Sequence, residues 1–250
     1  MTGFDRPLKP TWIYQFANIV EIGDKITDHK QEFNKILWEL DGEEGKRKVR
    51  TVLSRYYLKT EQNPKSKIVE YTPIIELCKT YPLDKIKPLL LFYLLMRSDT
   101  LRTLSKMIYE IYGNKEDIEY QFLRKKIIEK YGERDISSRT LRNFLTTLEY
   151  FNILKKQKHN YKWINKLQTD EMNTCYMLKF YSEEYKKSPQ IFIDEIEQYI
   201  MQYFETPDLE TIGRKYNGKL WEYSQSINKK QIIFHKSYTW NKILLNKLFS

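Results

Sequence analysis

The chain has 250 residues, of which 41% are hydrophobic and 15% aromatic, with only 8 glycines and 8 prolines. This composition excludes a disordered or linker-rich protein and allows a substantial core, in one large domain or two to three small modules. Lysine and arginine outnumber the acids by 43 to 33, for a net charge of +10. The excess favours a polyanionic partner such as nucleic acid, although solubility alone accounts for it equally well.

The amino-terminal residues are predicted to be helical. Residues 12–40 suit two short helices broken near Gly23 or Asp28, and residues 43–58 suit a third. One face of the third helix is apolar, and the other carries Arg47, Arg50, Thr51, Ser54 and Arg55. Arg47 and Arg50 are therefore candidates for a second phosphate-binding surface. Pairing of these arginines with Glu43 and Glu44, or plain solvation, explains them at least as well.

The next helices are predicted from apolar runs and from capping residues. A short helix covers residues 73–79, and Pro88 opens an apolar helix that runs to Met96 and forms the centre of a bundle. Ser98 and Asp99 cap a helix over residues 100–112, which ends at Gly113. The helices up to residue 112 are expected to form an N-terminal helical bundle over residues 1–113. A further helix, over residues 118–131, follows this bundle.

Residues 137–151 are predicted to form an amphipathic helix with one apolar face and one polar face. Ser137 is its predicted N-cap, and Leu141, Phe144, Leu145, Leu148 and Phe151 form its buried side. At about 100° per residue, a second set of side chains collects on the opposite side. This set, called the reading face below, consists of Arg139, Arg142, Asn143, Thr146 and Tyr150. Arginine can donate to guanine or phosphate, asparagine can pair with adenine, and threonine can contact phosphate or a thymine methyl.

A hairpin with a cationic tip is predicted directly after this helix. Ile153-Leu154 and residues 161–164 are extended apolar stretches, and residues 155–160 connect them. The hairpin carries Lys155, Lys156, Lys158 and Lys162. A helix followed by a basic hairpin is typical of a winged helix, in which the helix enters the major groove and the wing contacts phosphates. The sequence therefore predicts a winged-helix module over residues 114–166 that binds double-stranded DNA.

The carboxy-terminal residues 167–250 are predicted to form a helical extension. Helices are expected over residues 167–185, 189–204 and 207–216, and a small hairpin is expected from residues 220–227 and 231–235. Residues 238–249 close the chain as a short amphipathic helix. The fold class is therefore mainly α, with an N-terminal bundle, a winged helix and this extension.

No pattern in the sequence predicts catalysis. Residues 42–47 lack the spacing and the hydroxyl of a phosphate-binding loop, and the three histidines, His29, His159 and His235, stand apart from any metal-ligand cluster. No acidic-x-Lys element follows Asp208, so a metal-dependent nuclease ranks low. We expect a non-enzyme without metal or cofactor.

The sequence also favours a reducing, aqueous compartment. Cys78 and Cys175 are flanked by apolar residues and are expected to be buried thiols. The first ten residues lack the apolar stretch of a signal peptide, and the longest apolar run, residues 89–96, is too short to span a bilayer. The prediction is a cytoplasmic protein without a membrane partner.

Three segments resemble the BrxA-like proteins of BREX phage-defence systems. They are residues 44–56 (Glu-Gly-Lys-Arg-Lys-Val onward), residues 88–98 (Pro-Leu-Leu-Leu-Phe-Tyr onward) and residues 136–154. The resemblance covers residues 12–165 and lies in element order and apolar pattern. It implies a DNA-binding accessory protein of an anti-phage system, with a helical bundle followed by a winged helix. Residues 167–250 and the start of the chain depart from it.

Two hypotheses of different classes follow. The first is a non-catalytic DNA-binding accessory subunit that also contacts other subunits of a defence complex. The second is an assembly scaffold, whose five tryptophans and 20 tyrosines would suit large protein interfaces. Whether the nucleic acid is duplex, single-stranded or RNA stays open at this point.

Overall fold

The structure is a computed structural model that describes residues 4–60, 65–113, 117–132, 135–227 and 229–235. Within these ranges the chain is mainly helical and carries three small sheets. The helices are α1 (Pro10–Ile19), α2 (Lys30–Ile36), α3 (Glu43–Tyr57), α4 (Pro73–Thr80), α5 (Leu83–Met96), α6 (Asp99–Tyr112), α7 (Tyr120–Tyr131), α8 (Asp135–Tyr150), α9 (Glu171–Phe180), α10 (Gln198–Met201) and α11 (Leu209–Lys215).

The strands are short and belong to separate sheets. They are β1 (Asp117–Glu119), β2 (Leu154–Gln157), β3 (Asn160–Trp163), β4 (Leu167–Gln168), β5 (Gln190–Phe192), β6 (Phe204–Glu205), β7 (Trp221–Gln225) and β8 (Lys230–Phe234). The sheet orders are β1-β3-β2, β4-β6 and β5-β8-β7. Among the strands in the described ranges, β4 and β6 pair in parallel and the other pairs are antiparallel.

The amino-terminal helices follow the prediction closely. α1 and α2 are the expected pair, and the Ser98 hydroxyl accepts a hydrogen bond from the Leu101 amide at 3.3 Å, as an N-cap of α6 should. Pro88 is a correction, because α5 begins at Leu83, directly after Pro82, and Pro88 lies inside the helix. Residues 89–96 are buried on every side, as expected of a central helix.

The carboxy-terminal part differs from its predicted helices. Residues 189–204 do not form one helix but contain β5, a 3₁₀ turn (Ile193–Glu195) and α10, and they lead into β6. Residues 167–185 contain β4, α9 and a π-helical segment (Tyr181–Lys186). Pairing with distant strands explains these differences, since Ile191 is opposite Ile232 and Leu167 is opposite Phe204. The predicted β7-β8 hairpin is present, and residues 238–249 lie outside the described residues.

One hydrophobic core links all three predicted parts of the chain. α9 packs along α5, with the Tyr93 and Phe180 rings 5.1 Å apart, and α10 packs along α6. Phe144 of α8 meets Tyr203 edge to face at 6.2 Å. The division at residues 113/114 and 166/167 stays a prediction, and the described residues on both sides of these borders share one core. None of the described helices is long and apolar enough to cross a membrane.

Candidate nucleic-acid interface

The predicted interface lies in a unit of three helices and three strands. The chain order is α6, β1, α7, α8, β2 and β3, and β1 pairs with β3 on the side opposite β2. β1 was missed, because residues 118–119 were predicted as the start of a helix. Ile118 is buried opposite Tyr161, which fixes this strand in the sheet and makes α7 begin at Tyr120.

The apolar face of α8 is the one that the sequence predicted. Leu141, Phe144, Leu145 and Leu148 are all buried. The start of the helix differs, since α8 begins at Asp135 and Ser137 lies buried inside its first turn instead of preceding it. The neighbouring Ser138 hydroxyl accepts a hydrogen bond from the Arg124 side chain at 3.1 Å, which ties α7 to α8.

A second face of α8 is covered by residues 4–8, here called the N-terminal strap. The Phe4 amide donates to the Thr140 hydroxyl at 3.2 Å, and the Leu8 amide donates to the Thr147 hydroxyl at 3.0 Å. The Asn143 side-chain amide donates to the Phe4 carbonyl at 2.8 Å. Asn143 was predicted to read DNA, and the structure corrects this, because its amide is buried and holds the strap.

Two further members of the predicted reading face are also partly covered. Thr146 is half-buried beside the Tyr161 phenol of β3, and Tyr150 is half-buried with its ring 6.3 Å from that of Trp12. Arg139 and Arg142 are the two members that are exposed. The polar face of α8 is therefore narrower than the sequence suggested.

The basic hairpin, formed by β2 and β3, is longer than predicted. Its strands run from Leu154 to Trp163 and leave a two-residue turn, Lys158-His159, in which Lys158 has a φ of 52°. Lys155, Lys156 and Lys158 are exposed. Lys162 is half-buried and lies opposite Asp117 on one side and Lys155 on the other.

Helix α8 and the basic hairpin are joined as one surface. Glu149 of α8 accepts a hydrogen bond from the Lys156 amide at 3.1 Å. Burial raises the pKa of the Tyr161 phenol in β3, and the charge of Arg142 opposes that rise, so Arg142 lies close to the hairpin. The arginines of the helix and the lysines of the hairpin are therefore neighbours in the fold.

In the part of the chain that the structure describes, the charges on this surface are not paired with acidic side chains. Among the described residues, no carboxylate lies within 4 Å of the five interface cations, Arg139, Arg142, Lys155, Lys156 and Lys158. Many other cations of the protein are paired, for example Lys186 with Glu197 at 2.9 Å and Lys215 with Glu171 at 2.7 Å. α8 and the basic hairpin thus carry a group of positive charges without acidic partners among the described residues.

The predicted basic face of α3 is less open than expected. Arg47 is exposed, but the Arg50 side chain is only 14% exposed, donates to the Asn34 side-chain oxygen and lies 3.9 Å from Glu43. Ser54, also placed on that face, is buried. Arg47 and Arg50 are not part of the surface formed by α8 and the hairpin.

One further exposed basic residue, on α7, lies outside the set that the sequence predicts for DNA contact. Lys125 of α7 is exposed, and it has no ion pair among the described residues. Its neighbour Lys126 pairs with Glu129 at 2.9 Å. The run Arg124-Lys125-Lys126 was the available signal, but this helix was interpreted only as support for α8.

The described residues contain no group of three or more histidine, cysteine, aspartate or glutamate side chains that could hold a metal ion. Cys78 and Cys175 are free and buried, and burial raises the pKa of both thiols. The chain matches no protein-family model, no curated protein and no solved structure.

Proposed function

We propose that this protein binds duplex DNA without catalysis, through α8 and the basic hairpin. The observation that carries the proposal is the set of five exposed cations on these two adjoining elements, none of which is paired with a carboxylate among the described residues. Such cations neutralise DNA phosphates and release bound counterions, which drives binding.

The order and pairing of the elements support a winged-helix arrangement. A helix, a short strand, two helices and a hairpin follow one another, and the first strand pairs with the last. α7 ends at Tyr131 and α8 begins at Asp135, so the two helices follow closely in the chain, as the two helices of a helix-turn-helix do. In this arrangement α8 would enter the major groove, and the hairpin would contact the adjacent backbone.

The narrow reading face of α8 has a consequence for specificity. With Asn143 buried and Thr146 against Tyr161, Arg139 and Arg142 are the remaining members of the predicted face for base contacts. Phosphate contacts position a protein but carry no sequence information. We therefore expect modest sequence preference and an affinity dominated by salt-sensitive backbone contacts.

The wider role follows from the resemblance to BrxA-like proteins. We propose an accessory subunit of a bacterial anti-phage complex, which would act in the cytoplasm alongside other subunits. An assembly scaffold is the alternative role, and it would not need the five interface cations.

The deciding experiment is a salt titration of DNA binding with a matched pair of variants. Fluorescence anisotropy with a labelled duplex gives log affinity against log salt, and five phosphate contacts predict a slope of about −4.5. One variant changes Arg139, Arg142, Lys155, Lys156 and Lys158 to Gln. The control changes five other exposed lysines to Gln, Lys25, Lys35, Lys85, Lys106 and Lys219.

The two variants remove the same total charge, so they separate a local site from a general effect of charge. We expect the interface variant to lose at least about a hundredfold in affinity and most of the slope, and the control to lose little. Near-wild-type affinity in the interface variant would refute the proposed surface. Absence of binding even at low salt would favour the scaffold role.

A further inference from the structure

A cleft of about 310 Å³ opens beside α3, away from α8 and the basic hairpin. Its walls come from residues 26–30, from α3 and from residues 59 and 65–67. Six cations line this cationic cleft: Lys30, Arg47, Arg50, Lys59, Lys65 and Lys67. Thr51 and the buried Ser54 of α3 add hydroxyl groups to the lining.

Few carboxylates oppose these six charges. Among the described residues, no acid lies within 4 Å of Arg47, Lys59, Lys65 or Lys67. Glu43 stands at the rim, 4.0 Å from Lys30 and 3.9 Å from Arg50.

Two other acids lie near the cleft. Glu70 is directed toward Thr60, whose amide donates to it at 2.6 Å, and Asp28 accepts a hydrogen bond from the hydroxyl of the lining residue Thr27 at 3.3 Å. Burial lowers the pKa of Lys59, the Arg55 charge lowers it further, and Glu70 opposes both effects. The cleft therefore holds a strong local excess of positive charge.

Like charges gathered around a concavity repel one another unless an anion occupies it. Arg50 lies inside the cleft, where Asn34 fixes its guanidinium and leaves only a small part of the side chain accessible. Lys30, Lys65 and Lys67 are exposed and surround it. A group that reaches Arg50 must enter the cleft, and phosphate oxygens suit both the fixed guanidinium and the mobile ammonium groups.

We propose that the cationic cleft binds the phosphate groups of a small polyanion of the nucleotide or polyphosphate class. Its volume lies at the lower end of the range for small-molecule sites. A concave site with a recessed arginine suits a compact ligand better than the convex surface of a DNA duplex. The cleft contains no residue of α8 or of the basic hairpin, so this proposal does not rest on the proposed DNA interface.

The test is isothermal titration calorimetry of the full chain with inorganic tripolyphosphate, ATP and, at matched ionic strength, sulfate. The cleft variant changes Arg47, Lys65 and Lys67, all exposed, to Gln. The control changes Lys35, Lys106 and Lys219, all exposed and none of them in the lining, to Gln, which removes the same charge elsewhere. We expect saturable 1:1 binding of tripolyphosphate that weakens at least about tenfold in the cleft variant alone.

Two calorimetric results would overturn the proposal. One is the absence of saturable binding of tripolyphosphate and ATP, and the other is an equal loss of affinity in the cleft and control variants, which would indicate diffuse charge attraction. ATP binding tighter than tripolyphosphate would support the nucleotide as the source of the phosphates, and the reverse would support a polyphosphate chain.

A competition experiment separates this cleft from the DNA surface. We expect the cleft variant to keep its affinity for duplex DNA, and we expect DNA not to displace tripolyphosphate. The opposite result would be that DNA displaces tripolyphosphate and that the cleft variant loses affinity for DNA tenfold. It would make the cleft part of the DNA surface and refute a separate small-ligand site. Failure of DNA binding alone would leave the tripolyphosphate result unaffected.

Discussion

Asn143 and Arg142 are adjacent in α8, yet the structure predicts opposite effects when each is changed to alanine. Asn143 is buried and donates to the Phe4 carbonyl at 2.8 Å, whereas Arg142 is exposed beside the basic hairpin. Asn143→Ala should therefore lower stability and leave DNA affinity intact. Arg142→Ala should leave stability intact and lower DNA affinity.

The size of each effect follows from these environments. Asn143→Ala removes a hydrogen bond and leaves the buried Phe4 carbonyl without its side-chain donor, which costs about 1–3 kcal/mol. For a chain of this length, that corresponds to a fall in Tm of about 5 °C. Arg142→Ala is a surface change worth less than about 0.5 kcal/mol of stability, and the loss of its DNA contact should weaken binding about tenfold.

The assay combines thermal unfolding by circular dichroism with anisotropy well below Tm. Asn165→Ala, at an exposed asparagine, is the control for the loss of an asparagine side chain, and it should change neither quantity. The reasoning would be refuted if Asn143→Ala kept the wild-type Tm and weakened DNA binding as Arg142→Ala does. The strap would then not cover α8, and the Asn143 amide would face DNA.

Three further predictions concern the hairpin turn, the half-buried carboxylate of Glu197 and the thiols. Lys158→Asn should raise the free energy of unfolding by about 0.5–1 kcal/mol, because asparagine tolerates a φ of 52° better than lysine does. It should also make the slope of log affinity for DNA against log salt shallower by about 0.9. A lower free energy of unfolding, measured in urea, would contradict this. Burial raises the pKa of Glu197, but hydrogen bonds from Lys186, Tyr181 and Tyr185 outweigh this effect and hold the pKa below 4.5. The ionised carboxylate therefore stabilises the folded protein above that pH, and this stabilisation is lost as the pH falls through the native pKa. Glu197→Gln should lower the free energy of unfolding by about 1–2 kcal/mol at pH 7. It should also weaken the fall in this free energy at acidic pH, measured by urea unfolding. An unchanged fall at acidic pH would count against a role of the Glu197 pKa. Cys78 and Cys175 should resist a thiol reagent at pH 8 in the native protein and react in urea, and rapid native reaction of either would contradict its burial.

Elements with a strong local signal were predicted well. The apolar period of α3 and α8 and the Ser98 cap of α6 can each be read within one short window. The β7-β8 hairpin is also present, although its residues alternate imperfectly in the sequence. Residues 189–204 lacked such a signal, because β5 exists through its pairing with β8, about 40 residues later. Tertiary pairing there overrides local preference.

The candidate site was predicted in part for the same reason. The positions of Arg139, Arg142 and the hairpin lysines follow from helix and strand geometry. The burial of Thr140, Asn143 and Thr147 does not, since polar residues on one helix face are normally assigned to solvent. Their partners in the strap lie 136 to 139 residues earlier in the chain, beyond the reach of any local pattern.

The long sequence distance between the N-terminal strap and α8 also affects when the strap can dock during folding. Residues 4–8 leave the ribosome long before α8 is synthesised, so during translation Phe4 and Leu8 lack their hydrogen-bonding partners Thr140 and Thr147. Contacts between residues so distant in the chain form slowly, because the entropy of closing the intervening loop must be lost first. We therefore expect the strap to dock late in folding, once α8 is in place. Until then, the threonine and asparagine face of α8 is exposed to solvent, and a newly made chain presents a different surface from the mature protein.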